Sequence, residues 1–334
     1  MKKVILLFVL ATLLVAGCGL NSEEGSGSSS ADKANSSNVL RIGAQPYPLY
    51  ASIYVAKEKG YLDEELKKVG ATYEWTDFKS GPLVNEAVAS GHDDIGFMAD
   101  MPAILAKSSG QDIQIIADVA YGEKALALLA GPGSDIVSAG QLKGKKVAYG
   151  KGTYAQHLLA LLLEKENLTF NDIQSVNIPA GDIPAALESG QIDAAVIWEP
   201  FISQLVASGK AKVIADGTGI KRGNLVTYAV KKYAEENPQI IAAYIKACQR
   251  ASDYIKSNPK EAAELIAKDM KVDPLILEDT FKNLHYDQAL TTEDVNEIKK
   301  VKDYLLQQKL IQNDIDMDSF INLEYLKEAG IGDK

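Results

Sequence analysis

The sequence contains the same helix–turn–strand unit once in each half, and this repetition limits the possible folds more than any other feature. Residues 86–96 (EAVASGHDDIG) predict a helix ended by glycine, a turn carrying aspartate and a buried strand, and residues 185–195 (AALESGQIDAA) repeat that order. Each strand then leads to an acid near a proline, Asp100 in the first half and Glu199 in the second. Two common units could match by coincidence, but the match extends to the acid. We therefore predict two equivalent lobes.

Around these units, short apolar strands alternate with helical patterns, which predicts parallel α/β layers. We expect strands at residues 39–44, 72–76, 95–98, 113–121, 146–149, 176–178 and 194–198, and helices at 49–59, 82–90, 154–166 and 183–189. From residue 235 onward the pattern is helical, which indicates a scaffold behind the lobes. Ligands of open parallel sheets bind beyond the carboxyl ends of the strands, so we expect a ligand in the cleft between the lobes.

The N-terminal residues predict a lipoprotein signal. Lys2 and Lys3 precede an apolar run over residues 4–16, which is shorter than the ~20 residues of a spanning helix. The run ends in Val-Ala-Gly-Cys at residues 15–18, which resembles the lipobox of bacterial lipoproteins. An ordinary signal peptide with a chance cysteine is the alternative. We expect cleavage after residue 17, palmitate-type acylation of Cys18, and attachment to the outer face of the cell membrane through that anchor alone.

The remaining length predicts a tether and a bilobed domain. Residues 18–38 are almost all small or polar, which is typical of a flexible tether. The roughly 295 residues that follow exceed what one hydrophobic core usually holds. We expect residues 39–130 and 229–334 to form lobe 1, residues 131–228 to form lobe 2, and hinges near 128–133 and 224–228.

Composition excludes several classes of function. The formal charge of −10 becomes −12 once the two N-terminal lysines are cleaved, which argues against nucleic acid as a partner. Besides Cys18, the only cysteine is Cys248, and His92, His157 and His285 have no ligand spacing, so we predict neither a disulfide nor a metal or other cofactor. No spacing typical of a catalytic triad or phosphate-binding loop is present, so we predict a binding protein rather than an enzyme.

Two segments resemble a known family. Residues 78–87 (FKSGPLVNEA) with the following Asp100, and residues 150–153 (GKGT) with the second repeat up to Pro200, resemble the aliphatic sulfonate-, taurine- and nitrate-binding proteins of ABC importers. The resemblance covers the chain from residue 39 almost to its end. It implies a periplasmic-binding-protein fold of the second class, with two α/β lobes joined by two crossing segments, and a separate permease and ATPase as partners. Ala99 stands where family members often carry glycine, which predicts a reshaped pocket floor.

Three loops are expected to reach the cleft. The first offers Gln45, Tyr47 and Tyr50 for ligand contact, although a rigid turn would use the same residues. The other two, each at the start of a helix, expose backbone N–H groups suited to an anion, although plain helix capping remains the alternative. The candidate residues in these two loops are Phe78, Ser80, Gly81, Gly152, Thr153 and Tyr154. Thr153 and Gln156 have the spacing of a capping box, which predicts a helix beginning at Tyr154.

The acids and aromatics near these loops refine the expected ligand. Asp100 and Glu199 would contact the ammonium of a zwitterion such as taurine, or would only cap a helix or pair with a lysine. Tyr121 and Trp198 join the four loop aromatics and favour a ligand with a carbon tail.

The leading hypothesis is therefore capture of a small organosulfonate, an alkanesulfonate or taurine, and its delivery to a permease. The alternatives are nitrate, bicarbonate or a thiamine-pyrimidine precursor on the same fold. A thiamine-pyrimidine synthase is a further alternative, although the chain lacks that enzyme's cysteine-rich iron motif.

Overall fold

The computed structural model describes residues 38–332. The expected signal peptide, lipid anchor and nearly all of the expected tether lie outside these residues. Of the helices in this range, none is long and apolar enough to cross a membrane.

Eleven strands and fourteen α-helices form the described part of the chain. The strands are β1 (Val39–Ala44), β2 (Thr72–Asp77), β3 (Ile95–Ala99), β4 (Ile113–Tyr121), β5 (Leu126–Ala130), β6 (Lys146–Tyr149), β7 (Gln174–Asn177), β8 (Ala194–Trp198), β9 (Lys212–Asp216), β10 (Leu225–Val230) and β11 (His285–Tyr286). The helices are α1 (Ala51–Glu58), α2 (Tyr61–Lys68), α3 (Gly81–Ala89), α4 (Asp100–Ser108), α5 (Tyr154–Lys165), α6 (Ile183–Glu188), α7 (Phe201–Ala207), α8 (Lys231–Glu236), α9 (Pro238–Ser257), α10 (Pro259–Met270), α11 (Pro274–Phe281), α12 (Thr292–Gln307), α13 (Met317–Phe320) and α14 (Glu324–Glu328).

The strands form two sheets with the same internal order. The larger sheet runs β11-β4-β10-β3-β1-β2 and the smaller runs β7-β6-β8-β5-β9. Within each, three neighbouring strands pair in parallel (β2-β1-β3 and β7-β6-β8). The next strand, β10 or β5, pairs antiparallel both with this set and with the strand beyond it, β4 or β9. The only addition in the larger sheet is the short strand β11. The expected repetition is therefore present at the level of whole sheets.

Two aspartates of the repeated unit make equivalent bonds in the two sheets. The Asp94 carboxylate accepts from the backbone N–H of Arg41 at 2.9 Å, and the Asp193 carboxylate accepts from that of Lys146 at 2.7 Å. Each aspartate N–H in turn donates to the carbonyl of the same partner at 2.8 Å. Each aspartate thus ties the start of one parallel strand to the turn before its neighbour, which explains why both copies carry it.

Two strands change sheets, and they connect the lobes. β5 follows β4 in sequence but pairs in the smaller sheet, and β10 follows β9 but pairs in the larger one. The crossing segments are accordingly residues 122–125 and 217–224. The boundaries expected at residues 130 and 229 differ from these positions, because β5 was assigned to lobe 1 and most of β10 to lobe 2.

The core is continuous across the two sheets. One cluster of buried side chains includes Ile42 and Ile116 of the larger sheet together with Leu128 and Val196 of the smaller one. A second cluster, which includes Leu129 and Ile183, covers the other face of the smaller sheet. The lobes therefore pack against each other in this structure.

Candidate functional site

The first loop lies against the start of α3. Gln45 is buried, and its side-chain amide donates to the carbonyl of Phe97 at 3.2 Å. A Cβ on Gly81 would lie 3.4 Å from the same amide, so Gln45 and Gly81 are neighbours, as one shared site would require. Tyr50 is buried against Phe97, with ring centroids 5.8 Å apart, and Tyr47 is half-buried.

The second loop begins α3 without a side-chain cap. Ser80 occupies the N-cap position in an extended conformation, and its carbonyl accepts from the N–H groups of Leu83 and Val84 at 3.2 and 3.3 Å. The Ser80 hydroxyl makes no capping bond. Plain capping therefore does not explain this hydroxyl. Phe78 is half-buried and packs against the core.

The third loop starts α5 at Tyr154, as the spacing predicts, but its hydrogen bonds are not those of a capping box. The Thr153 hydroxyl donates to the carbonyl of Gly150 at 2.7 Å, and the Gln156 side chain accepts from the N–H of Gly152 at 2.8 Å. The N–H of Lys151 donates to Asn177 at 2.9 Å. The backbone N–H groups of Lys151 and Gly152 are therefore already bonded within the protein. This argues against the prediction that they bind an anion.

Both strand-end acids are buried and hydrogen-bonded within the protein. Asp100, 1% exposed, accepts from the Lys221 ammonium and from the backbone N–H of Met101, both at 2.7 Å. Glu199, fully buried, accepts from the Ser203 hydroxyl at 2.9 Å and from the Asn283 amide at 2.7 Å. Burial raises the pKa of Glu199 above its usual value. The pairing of Asp100 with a lysine matches the structural alternative for these acids.

Tyr154 links the two acids to the aromatic candidates. Its ring lies 5.6 Å from that of Trp198, and the side chain is buried. Burial, with smaller effects from Tyr50, Asp100 and Glu199, raises the pKa of Tyr154 well above its usual value. Tyr154 of the smaller lobe therefore interacts with candidates from both lobes.

Tyr121 contacts the second crossing segment. Its ring stacks on His285 with centroids 5.0 Å apart, and the Arg222 guanidinium lies 3.7 Å from the ring centroid. Tyr121 ends β4 just before the first crossing segment, and Arg222 lies in the second, so these contacts hold the crossing segments together.

The comparisons with known proteins agree with this arrangement. A family model described as NMT1/THI5 like matches residues 48–262. The chain belongs to the NMT1/THI5-like family. An aliphatic sulfonates-binding protein of Bacillus subtilis (strain 168) is 28% identical over 331 residues, which cover 98% of this chain and 97% of that protein.

Two solved structures have the same fold as this chain. The alkanesulfonate-binding protein SsuA from Xanthomonas axonopodis pv. citri, bound to MOPS, is 25% identical with a TM-score of 0.77, over 86% of this chain and 98% of that one. The periplasmic aliphatic sulphonate binding protein SsuA from Escherichia coli is 27% identical with a TM-score of 0.77, over 85% of this chain and 92% of that one. The expected periplasmic-binding-protein fold is therefore confirmed.

Three polar residues between the lobes were not predicted from the sequence. Lys221 comes from the second crossing segment, Asn283 from the loop before β11, and His157 from α5. Asn283 joins the larger lobe to Glu199 of the smaller one. His157 packs its ring 4.5 Å from that of Tyr304 on α12, which is a second contact between the lobes. The lysine–arginine pair at 221–222 in a glycine-rich loop was a weak signal, and nothing in the sequence pattern marked the others.

Across residues 38–332, no cluster of three or more histidine, cysteine or acidic side chains is arranged to hold a metal ion.

Proposed function

We propose that this protein is the extracytoplasmic solute-binding component of an ABC importer, and that it captures a small organosulfonate between its lobes and delivers it to a permease. The observation that carries this proposal is the pair of identically ordered sheets that exchange strands and are joined by two crossing segments. The sulfonate-binding names of the relatives support the ligand class. The permease and ATPase are the partners that such a role requires.

The two crossing segments support a mechanism of closure. A ligand bound to one lobe alone leaves the lobes free to separate, whereas a ligand that contacts both stabilises the closed form by its differential affinity for the two states. Tyr50 and Asp100 lie on the larger lobe and Tyr154 and Trp198 on the smaller one, and we propose that the solute contacts both lobes through them. The affinity of the solute would then be coupled to closure.

The environment of the acids favours alkanesulfonates over taurine. Asp100 and Glu199 already accept hydrogen bonds from protein donors, so a solute ammonium would have to compete with Lys221 or Asn283. The aromatic surface of Tyr154 and Trp198 suits an alkyl tail instead. Each buried CH₂ group contributes about 0.8 kcal/mol.

Titration calorimetry with methane-, ethane- and butanesulfonate, taurine, sulfate, nitrate, bicarbonate and a hydroxymethylpyrimidine tests the ligand class. We expect the alkanesulfonates to bind most tightly, with affinity rising along the series, and taurine to bind no more tightly than ethanesulfonate. Ser80→Ala should weaken binding. Tight nitrate or pyrimidine binding without a response to any sulfonate would refute the proposal. Solute recovered from the complex should be chemically unchanged, and a product in excess over protein would indicate an enzyme.

Membrane attachment through Cys18 belongs to the same proposal and concerns residues outside the described range. Cys18→Ser should leave the protein unacylated and release it from membranes, or block its processing. A variant that still carries lipid and still sediments with membranes would contradict the anchor.

A further inference from the structure

Two buried polar groups on α5 have no hydrogen-bond partner. Tyr154 and His157 are 4% and 5% exposed, and neither the Tyr154 hydroxyl nor Nδ1 of His157 is paired. Residues three apart in a helix are neighbours on its surface, so the two side chains leave α5 on the same face. Unpaired polar groups of this kind are expensive to bury, and few buried polar groups lack a partner.

A buried ammonium lies close enough for its charge to act on His157. The Lys221 side chain is 2% exposed, and its one recorded hydrogen bond goes to Asp100. An ammonium carries three N–H donors, so the pairing with Asp100 engages one of them. Burial, with a smaller effect from the charge of Lys221, lowers the pKa of His157 to about 2. The imidazole is therefore neutral and carries one ring N–H.

We propose that Lys221, Tyr154 and His157 hold the charged group of the solute, and we name these three residues the hinge-side donors. This inference rests on the proposed function and adds three side-chain donors for the anion to the helix start at residue 80. The Tyr154 hydroxyl and the neutral His157 imidazole each have one hydrogen to donate. The Lys221 ammonium has two N–H donors besides the one bonded to Asp100. Their number and their one positive charge suit an anion with three acceptor oxygens.

The lysine also explains how a sulfonate could enter a region that contains two carboxylates. The charge of Asp100 is compensated by Lys221 at 2.7 Å, and Glu199 accepts hydrogen bonds from the Ser203 hydroxyl at 2.9 Å and the Asn283 amide at 2.7 Å. Both carboxyl groups are therefore bonded to donors of the protein before a solute arrives. The two α5 donors, by contrast, can be satisfied when a ligand brings acceptors to them.

The proposal predicts opposite effects on stability and on affinity, which a purely structural role would not produce. Tyr154→Phe removes the unpaired hydroxyl and keeps the ring contact with Trp198. The unliganded variant should melt at the same temperature as the wild type or higher, because a buried unpaired group is lost. Its affinity for ethanesulfonate should fall about ten- to a hundredfold, because a hydrogen bond to a charged group is lost. His157→Phe should weaken binding in the same way.

Tyr228→Phe is the matched control. Its hydroxyl is also buried without a partner, but it lies against Gly96 inside the larger lobe, and a Cβ on Gly96 would come within 2.6 Å of it. This variant should keep wild-type affinity for ethanesulfonate. The charge of Lys221 is tested with ethanesulfonamide, a neutral analogue of nearly the same shape. Wild type should prefer the sulfonate, Lys221→Arg should retain the preference, and Lys221→Met should lose it.

The outcomes separate this inference from the proposed function. If wild type binds no sulfonate by calorimetry, the proposed function fails. If wild type binds ethanesulfonate and Tyr154→Phe and His157→Phe bind it equally well, the hinge-side donors are refuted while the function stands. A Tyr154→Phe variant that loses stability and affinity together would indicate packing and would also overturn the assignment. Weaker binding with unchanged or higher melting temperature supports it.

Discussion

The buried ion pair between Lys221 and Asp100 makes a quantitative prediction about folding. The two charges lie 2.7 Å apart with side chains 2% and 1% exposed. Lys221→Met would leave the carboxylate buried with only the N–H of Met101 as a recorded donor. Removing one partner of a buried pair costs about 3–5 kcal/mol, because the remaining charge is left uncompensated. We therefore expect the free energy of unfolding of the unliganded protein to fall by about this amount.

The chain offers a control with nearly the same geometry. Lys210 and Glu188 also form an ion pair, at 2.8 Å, but their side chains are 50% and 42% exposed. A pair in water contributes about 0–1 kcal/mol, so Lys210→Met should change stability little. The two pairs differ mainly in burial, so the comparison isolates desolvation from distance.

Urea unfolding of the unliganded protein, followed by tryptophan fluorescence, measures both variants. Adding Asp100→Asn to Lys221→Met should recover much of the lost free energy, because the uncompensated charge disappears. The reasoning would be refuted if Lys221→Met and Lys210→Met destabilised the protein equally, or if Asp100→Asn brought no recovery. Either result would mean that the Asp100 carboxylate is solvated or otherwise neutralised.

Three further predictions concern the fold and its closure. Burial raises the pKa of Asp118 well above its usual value, so the folded protein binds a proton that the unfolded chain releases, and stability should fall as pH rises from the ordinary carboxyl pKa toward the raised one. Asp118→Asn should flatten that decline in thermal melts between pH 4 and 8, and an unchanged slope would contradict it. Asn283→Ala removes the bond to Glu199 between the lobes and should weaken sulfonate binding about tenfold and enlarge the scattering radius of the unliganded protein, whereas unchanged values would exclude a role in closure. Gly96→Ala should cost about 1–3 kcal/mol in urea unfolding, because the new Cβ would lie 2.6 to 2.8 Å from the hydroxyl and ring carbon of Tyr228 and from Val84, and unchanged stability would contradict this overlap.

The sequence could predict those parts of the fold that depend on local pattern. The two predicted repeats are α3–β3 and α6–β8 in the structure. Asp94 and Asp193 make equivalent hydrogen bonds in them. The start of α5 at Tyr154 was also predictable, because helix starts are determined by a few adjacent residues. The sheet to which β5 belongs could not be predicted, because residues 126–130 (LALLA) are a buried apolar run that would suit either sheet. Pairing partners are set by tertiary packing rather than by a strand's own pattern.

The polar contacts of the site could not be predicted from the sequence for a different reason. Lys221 and Asp100 are 121 residues apart, and Asn283 and Glu199 are 84 apart, so neither pair has a spacing that a helix or strand would repeat. The contacts of Tyr121 with His285 and with the Arg222 guanidinium likewise join residues far apart in sequence.

The crossing segments explain why the contacts of one lysine can matter for the whole molecule. The N–H of Gly122 donates to the carbonyl of Arg222 at 3.0 Å, and that of Gly217 donates to the carbonyl of Glu123 at 2.8 Å, so the two segments are bonded to each other. Because β5 and β10 are held inside opposite sheets, rotation of one lobe against the other must be absorbed by these few residues. Lys221 lies within them and is bound to Asp100 at the start of α4. A solute that recruits the Lys221 ammonium would therefore act directly on the segment that bends, and ligand binding and lobe closure would share one contact.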